Sequence, residues 1–143
     1  MADKVRDVMT SDPITLASTE TLAAAAKQMR DADVGVVVVT DNDSIAGLVT
    51  DRDIVVRGIA EDLDPFSTAL ASCCATPSVV TVTPDDDIDH AVRLMREHAV
   101  RRLLVVENRE GGKPVAIVSI GDFAIEQDED SALAEISAAE SNN

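Results

Sequence analysis

One internal repeat constrains the fold of this 143-residue chain more than any other feature of its sequence. The segment Thr21–Val39 resembles Asp87–Val106 in the order and type of its residues. In each segment, apolar residues recur at positions i, i+3, i+4 and i+7, which is the pattern of an amphipathic helix with one buried face. These residues are Leu22, Ala25, Ala26 and Met29 in the first segment and Ile88, Ala91, Val92 and Met95 in the second. The chain is therefore predicted to contain two copies of one structural unit.

Apolar, β-branched runs flank each predicted helix and are typical of buried strands. The middle strands are VGVVVV and LLVVE, and the strands after them are Ile45–Thr50 and Val115–Ser119. The short leading strands are Pro13–Leu16 and Ser78–Val82, and the final helices are Asp51–Glu61 and Ile120–Gln127. Each copy is then a β-α-β-β-α unit. Because one such unit cannot cover its own sheet, we predict an α/β (α+β) fold in which two units pack sheet to sheet.

The predicted domain boundaries follow from this repeat. The first copy takes residues 1–62, a linker takes 63–67, and the second copy takes 68–127. Residues 128–143 form an acidic C-terminal tail, whose weak periodicity leaves a terminal helix and a frayed end both open.

The charge of the chain is strongly negative, with 27 acidic residues against 12 basic ones and a net charge of −15 at pH 7. Such a surface repels phosphate backbones, so we expect no nucleic-acid partner. No apolar stretch approaches the roughly 20 residues that span a bilayer, and the N-terminus lacks the apolar region of a signal peptide. We therefore expect a cytoplasmic protein without a membrane partner. Abundant Asp and scarce Lys are typical of halophilic proteins.

The sequence contains no convincing catalytic or metal-ligating constellation. Cys73 and Cys74 are adjacent and lie at no finger-like spacing from His90 or His98, which we expect on solvent-facing helix surfaces. A vicinal disulfide and two reduced thiols are both open, and an intracellular setting favours the thiols. The run Val36–Asp43 resembles a phosphotransferase motif with an Asp nucleophile, but no matching lysine accompanies it and a turn explains it. We expect no enzyme.

The two strand-to-helix junctions carry related short motifs. The sequence GLVTDRD ends at Asp53 in the first copy, and AIVSIGD ends at Asp122 in the second. Thr50 and Ser119 each precede the acidic residue by three positions, which is the spacing of a helix-capping box. Capping and ligand binding are compatible, because a capping hydroxyl can also face a ligand.

Positive charge distinguishes the two junctions. Arg52 lies in the first helical turn, where the helix dipole opposes a cation, so either Asp51 or a bound phosphate should compensate it. The second copy has Gly121 in that place, but Arg101 and Arg102 stand where the first copy has an uncharged pair. For these two arginines, pairing with surface carboxylates and binding of an anionic ligand are both open.

With these repeats and motifs, the chain resembles a tandem pair of cystathionine-β-synthase-type (CBS) domains, the stand-alone Bateman module, over about Val5–Ile125. The motif of that family is Gly, an apolar residue, any residue, Thr or Ser, two residues of any kind and Asp. The first junction fits it completely, and the second has Ala116 in place of the glycine. The proline that the family often has in its middle strands is missing from both copies.

The resemblance implies a regulatory module that binds an adenosine-containing ligand in one or two clefts between the repeats. AMP, ADP or ATP is favoured over NAD or S-adenosylmethionine, and no cofactor is required. The implied ligand-binding residues are Thr15, Thr50, Arg52, Asp53, Thr81, Arg101, Arg102, Ser119 and Asp122. In the family the motif Asp accepts hydrogen bonds from ribose, the motif Thr or Ser contacts phosphate or ribose, and nearby basic residues neutralise phosphate.

The resemblance also implies a homodimer and a regulated protein partner. The alternative is an interaction or scaffold protein that keeps the fold, binds no nucleotide and acts through dimerisation or a partner protein.

Overall fold

The structure, a computed structural model, describes residues 3–73, 79–108 and 112–127, with side chains described as far as Phe123. The elements in chain order are a 3-10 helix (Val5–Asp7), β1 (Thr10–Ser11), β2 (Thr15–Ala17), α1 (Leu22–Ala32), β3 (Val36–Asp41), β4 (Ser44–Thr50), α2 (Asp51–Asp53), a π turn (Ile54–Gly58), two 3-10 turns (Ile59–Glu61 and Leu70–Ser72), β5 (Thr81–Val82), α3 (Ile88–His98), β6 (Arg102–Val106), β7 (Pro114–Ser119) and α4 (Ile120–Gln127). The mixed α+β fold and the two repeated units are thus confirmed.

The chain divides into two compact units. Among the described residues, those between Ile14 and Val79 form the first unit, and those up to Pro13 and from Val80 onward form the second. In the first unit the strand order is β2-β3-β4, with β2 parallel and β4 antiparallel to β3. In the second unit the order is β1-β7-β6-β5, with β5 parallel and β7 antiparallel to β6.

The core of the first unit lies between α1 and one face of its sheet. It is built from apolar residues of α1, of the strands and of the turns that follow them: Leu22, Ala25, Met29, Val37, Val39, Val49, Ile54 and Leu70. Ala26, which we placed on the apolar stripe, is exposed instead. Val38 is also fully buried, although strand alternation directs it to the opposite face from Val37 and Val39. Burial on both faces explains why the valine run of β3 does not alternate with polar residues.

The N-terminal segment packs on the second unit, although it precedes the first unit in sequence. Val5 is fully buried in the second core, and β1 pairs antiparallel with β7. Lys4 Nζ lies 2.7 Å from Asp87 Oδ1, and Arg6 forms an ion pair with Asp85. The sequence boundaries between the repeats stay a prediction, but residues 3–13 belong to the same compact unit as the second copy.

Other expectations concern single residues and segments. Cys73 is a free, buried thiol, whereas Cys74 lies outside the described residues. His98 is exposed and His90 is half-buried on α3. Within the described ranges, no helix has the length and apolar character needed to cross a membrane. The C-terminal tail, residues 128–143, also lies outside the described residues.

Candidate functional site

Both strand-to-helix junctions are built by the same strand register. In the first unit Thr50 at the end of β4 lies opposite Val36, and in the second Ser119 at the end of β7 lies opposite Arg102. The next residue ties each junction to the start of the middle strand: Asp51 N–H donates to the carbonyl of residue 35 at 3.0 Å, and Ile120 N–H donates to that of residue 101 at 2.9 Å. The repeat predicted from sequence therefore extends to the backbone hydrogen bonds around the site.

The first junction is a complete capping box. The Asp53 N–H donates to Thr50 Oγ1 at 3.1 Å, and the Thr50 N–H donates to Asp53 Oδ2 at 2.9 Å. Because the hydroxyl oxygen acts as the acceptor, its own proton remains available, and no acceptor for it occurs in the described part of the chain. The second oxygen of the half-buried carboxylate likewise accepts no hydrogen bond from the described residues.

The second junction uses the same residue types differently. Both the N–H and the hydroxyl of Ser119 donate to Asp122 Oδ2, at 2.8 and 3.1 Å. A carboxylate can only accept, so the hydroxyl proton of Ser119 is already engaged. The spacing predicted equivalent capping boxes, but only the first junction has the reciprocal pair of bonds.

Arg52 is exposed beside the first junction. Its backbone N–H donates to Asp51 Oδ1 at 2.8 Å, but its guanidinium forms no ion pair with any described residue. The sequence left Asp51 and a bound phosphate open as the group that compensates the charge of Arg52. The Asp51 carboxylate accepts from the backbone N–H of Arg52 and forms no ion pair with its guanidinium. The position of that charge is consistent with a site for an anion.

Arg101 and Arg102 lie beside the second junction. The carbonyl of Arg101 accepts the N–H of the first residue of α4, and Arg102 is the strand partner of Ser119. Both side chains are exposed, and neither forms an ion pair within the described residues. Pairing with surface carboxylates, one of the two alternatives, is not seen there.

Thr15 and Thr81 lie on the edge strands β2 and β5, two strands away from the junction in each sheet. Thr15 pairs with Val38 in β3, and Thr81 pairs with Leu104 in β6. Strand alternation places Thr15 on the same sheet face as Thr50, and Thr81 on the same face as Arg102 and Ser119. These faces are opposite to those that pack on α1 and α3. In each unit, the predicted threonine therefore lies on the same sheet face as the predicted residues at the strand end. The roles of these residues stay predictions.

The sequence did not predict a contact between the Cys73 thiol and the backbone of Asp53. After α2 the helix widens into a π turn, and the buried thiol of Cys73 lies 3.6 Å from the carbonyl oxygen of Asp53. Burial, together with the nearby Asp53 carboxylate, raises the pKa of the Cys73 thiol, which therefore stays protonated and able to donate. No residue pattern signals a π turn, so the sequence carried no indication of this contact.

Gly58 allows a close contact between the π turn and α1. A Cβ there would lie 2.7 Å from Cδ1 of the buried Leu22. A larger residue at position 58 would therefore require Leu22 to shift.

The described residues contain no group of three or more His, Cys, Asp or Glu side chains that could hold a metal ion. The junctions present carboxylate acceptors, a hydroxyl donor and exposed guanidinium groups.

Comparisons with known proteins agree with this architecture. The family model of the CBS domain matches residues 5–58 and 71–128. Hypoxic response protein 1 of Mycobacterium tuberculosis is 38% identical over 120 residues, which cover 83% of this chain and 81% of that protein. A crystal structure of Hypoxic Response Protein I with two coordinated zinc ions is 31% identical, with a TM-score of 0.70, and the match covers 86% of this chain and 98% of that one.

A further solved structure is a CBS domain protein from Pyrobaculum aerophilum complexed with AMP. It is 27% identical, with a TM-score of 0.73, and the match covers 95% of this chain and 99% of that one. Both CBS matches in the present chain contain one strand-to-helix junction or its motif. The chain therefore belongs to the CBS-domain family and carries two copies of the domain.

Proposed function

We propose that this protein is a regulatory module that binds an adenine nucleotide, AMP, ADP or ATP, at its strand-to-helix junctions and has no catalytic activity of its own. The observation that carries this proposal is the first junction, where Asp53, Thr50 and Arg52 each keep a polar group without a partner among the described residues. An acceptor, a donor and a cation within four consecutive residues suit the ribose and the phosphate of one nucleotide.

The carboxylates are assigned to the ribose. Asp53 and Asp122 each use Oδ2 to accept from the chain, which fixes the carboxyl group, and their Oδ1 atoms accept no hydrogen bond from described residues. Such an oxygen can accept a hydrogen bond from a vicinal diol. Since a hydrogen bond to a charged group contributes about 1.5–3 kcal/mol, this contact is strong enough to select a nucleoside.

The arginines are assigned to phosphate. A guanidinium presents a planar fork that matches two phosphate oxygens, and it remains charged at every physiological pH. Arg52, Arg101 and Arg102 have no described carboxylate partner, although acidic residues outnumber basic ones 27 to 12 in the chain. Positive charge left unpaired on such a surface favours an anionic ligand.

The two junctions are proposed to bind with unequal affinity. The first offers the Thr50 hydroxyl proton and the charge of Arg52, whereas the Ser119 proton is engaged by Asp122 and Gly121 replaces the arginine. We therefore assign the tighter phosphate contact to the first junction. The position of the ligand between the two repeats, expected from the resemblance, stays a prediction.

The relatives support the ligand class. The protein from Pyrobaculum aerophilum was solved with AMP, and the present chain shares its fold over nearly its whole length. Regulation requires that the nucleotide bind one conformation better than another, and the proposal includes a homodimer and a regulated protein partner that read out this difference.

A ligand panel tests the proposal. Protein stripped of nucleotide is titrated calorimetrically with AMP, ADP, ATP, NAD and S-adenosylmethionine, and its thermal unfolding is followed with each. We expect heat and a raised unfolding midpoint with at least one adenine nucleotide. Absence of both signals for all five compounds would exclude the proposal and favour the interaction or scaffold protein.

A further inference from the structure

Arginine side chains are concentrated at the end of α3 in the second unit. Four of the nine arginines of the chain lie within residues 93–102, together with one acid, Glu97. Arg93 and Arg96 are exposed and lie three positions apart on α3, so they are neighbours on the helix surface. Neither of them forms an ion pair with a described residue, although the chain has 27 acidic residues against 12 basic ones. This part of the surface therefore carries unpaired positive charge in the described chain.

An exposed apolar residue borders these cations. Ile120, the first residue of α4, is 56% exposed, and no other large apolar side chain of the second unit is exposed among the described residues. Its N–H donates to the carbonyl of Arg101 at 2.9 Å, and the N–H of Val100 donates to the carbonyl of Met95 at 3.0 Å. These two bonds keep Arg101 and Ile120 beside the last turn of α3. We name the following set the basic surface: Arg93, Arg96, Arg101 and Ile120.

The helix itself accounts for only one of these cations. A helix dipole favours a positive side chain in the last turn, which explains Arg96. Arg93 lies before that turn, and Arg101 follows the end of the helix at His98. Because these side chains are exposed, they do not fill a core either. An anionic group is therefore expected to cover the basic surface.

The C-terminal tail, residues 128–143, has the chemistry that complements this surface. It contains five acidic residues and no basic one: Asp128, Glu129, Asp130, Glu135 and Glu140. Its only large apolar residues are Leu133 and Ile136. Carboxylates pair with guanidinium groups through charge-assisted hydrogen bonds, and an apolar side chain can cover Ile120. The tail thus matches the basic surface in charge and in apolar character.

The tail is also attached close to the basic surface. It follows α4, which begins at Ile120, ends at Gln127 and packs against α3 and β7. Since a helix of this length extends about 12 Å, the tail starts about 12 Å from Ile120. Docking is therefore intramolecular, and a short tether gives a high effective concentration of the acidic groups. Even weak, exposed ion pairs are then sufficient.

We propose that the acidic tail docks on the basic surface of its own chain and thereby competes with nucleotide phosphate for Arg101. The docking is independent of any ligand, whereas the competition rests on the proposed function, in which Arg101 contacts phosphate. A guanidinium fork that faces a carboxylate cannot face a phosphate at the same time. A nucleotide at the second junction must therefore displace the tail, which lowers the apparent affinity of that junction.

Paramagnetic broadening tests the docking in the full chain. Cys74→Ser together with Ser137→Cys directs a nitroxide label to the tail, since Cys73 is buried. We expect the label to broaden the Nε–H resonances of Arg93 and Arg96. This broadening should be lost when the five tail acids are replaced by their amides, although the label and its tether stay the same. Equal broadening with and without the five charges, or no broadening at all, would overturn the docking.

A mixed sample identifies which copy supplies the tail. Isotope-labelled protein without nitroxide is combined with nitroxide-labelled protein of natural isotope content, so that only contacts between copies cause broadening. We expect the arginine resonances to stay sharp in this sample. Broadening as strong as in the doubly labelled chain would assign the docked tail to a second copy and contradict the proposal.

The competition is tested by an ATP titration in which the amide resonances of Ser119 and Asp122 report the dissociation constant at the second junction. Replacing the five tail acids by amides should lower this constant by about fivefold, as expected when a few exposed ion pairs no longer compete. The matched control removes five charges from exposed acids of the first unit: Asp33, Asp41, Asp43, Glu61 and Asp62. Its constant should stay within about twofold of the wild-type value, because distant exposed charges are screened.

The double variant Arg93→Gln, Arg96→Gln distinguishes a docked tail from a general effect of charge. Long-range electrostatics alone predicts that the loss of two cations weakens the binding of an anion. A docked tail predicts the opposite, because the variant releases the tail and frees Arg101 for phosphate. The dissociation constant of ATP should therefore fall by about threefold. A constant that rises in a folded variant would overturn the competition; circular dichroism verifies folding, and the amide variant decides if the double variant is unfolded.

The outcomes keep this inference and the proposed function apart. If ATP shifts no resonance at the second junction of the wild type or of the amide variant, nucleotide binding there is wrong, and the nitroxide experiment still decides the docking. If ATP binds but the tail acids change neither the broadening nor the dissociation constant, the docked tail is wrong and the proposed function stands.

Discussion

Thr50 and Asp53 hold each other through two reciprocal hydrogen bonds, one from the Asp53 N–H to the hydroxyl oxygen and one from the Thr50 N–H to the carboxylate. These bonds close the first turn of the helix and leave one hydroxyl proton and one carboxylate oxygen without partners in the described chain. Helix capping therefore uses one set of atoms of these two side chains, and other atoms of the same side chains are left for the proposed ligand. A nucleotide bound as proposed would leave both capping bonds intact.

Replacing Thr50 should separate these two roles. Thr50→Ala removes the acceptor of the capping box and should lower the free energy of unfolding by about 1 kcal/mol, whereas Thr50→Ser keeps it. Urea denaturation of both variants measures the difference. Equal stability of the Ala and Ser variants would show that the cap contributes nothing measurable in this protein.

The Lys4–Asp87 ion pair should make stability depend on pH at both extremes. Its hydrogen bond and charge lower the pKa of Asp87 below the ordinary 3.8 and raise that of Lys4 above 10.5. A lowered acid pKa stabilises the fold above the ordinary value, and this contribution is lost as the pH falls through the folded-state pKa. A raised lysine pKa stabilises below the ordinary value, and this contribution is lost as the pH rises through the folded-state pKa.

Comparison of Asp87→Asn with the wild type checks this assignment. The variant should be less stable near neutral pH, and the difference should vanish toward the acid and alkaline limits, where the wild-type pair is neutralised. Asp89→Asn is the matched control, since Asp89 is an exposed acid in the first turn of the same helix, without an ion pair to a described residue. If the stability difference between the variant and the wild type persists at low pH, Asp87 stabilises the fold by something other than its charge.

The Cys73 thiol should resist alkylation in the folded protein. It is 2% exposed, and burial raises its pKa, so both access and the thiolate fraction are reduced. With Cys74 replaced by Ser, iodoacetamide at mildly alkaline pH should modify Cys73 at least about tenfold more slowly in the native than in the unfolded state. Mass spectrometry follows the modification, and similar rates in the two states would contradict the burial of this thiol.

The repeated elements could be predicted from the periodicity of the apolar residues. The stripes of α1 and α3 and the β-branched runs of the strands are local patterns, and local patterns determine which residues face a core. Burial of Leu22, Met29, Ile88 and Met95 followed directly from them. The junction motifs were predictable for the same reason, because a capping residue and its acid lie three positions apart.

Contacts between distant segments were not predictable. The strand Thr10–Ser11 is two polar residues long, and its partner β7 begins at Pro114, so neither periodicity nor length indicates the pairing. The Thr50 hydroxyl accepts a hydrogen bond, whereas the Ser119 hydroxyl donates one. The motif does not indicate this difference, because both residues fit it equally. Such features depend on side-chain orientation and on tertiary packing.

The central claim, that the first junction binds an adenine nucleotide through Asp53 and Arg52, is tested most directly by titrating ATP into three variants and the wild type. Asp53→Ala and Arg52→Ala should each raise the dissociation constant by about 10- to 100-fold, the loss expected for a hydrogen bond to a charged group. Asp41→Ala, an exposed acid at the end of β3, should leave it within about twofold of the wild-type value. Equal effects of all three substitutions, or no binding to the wild type, would contradict the assignment of the site.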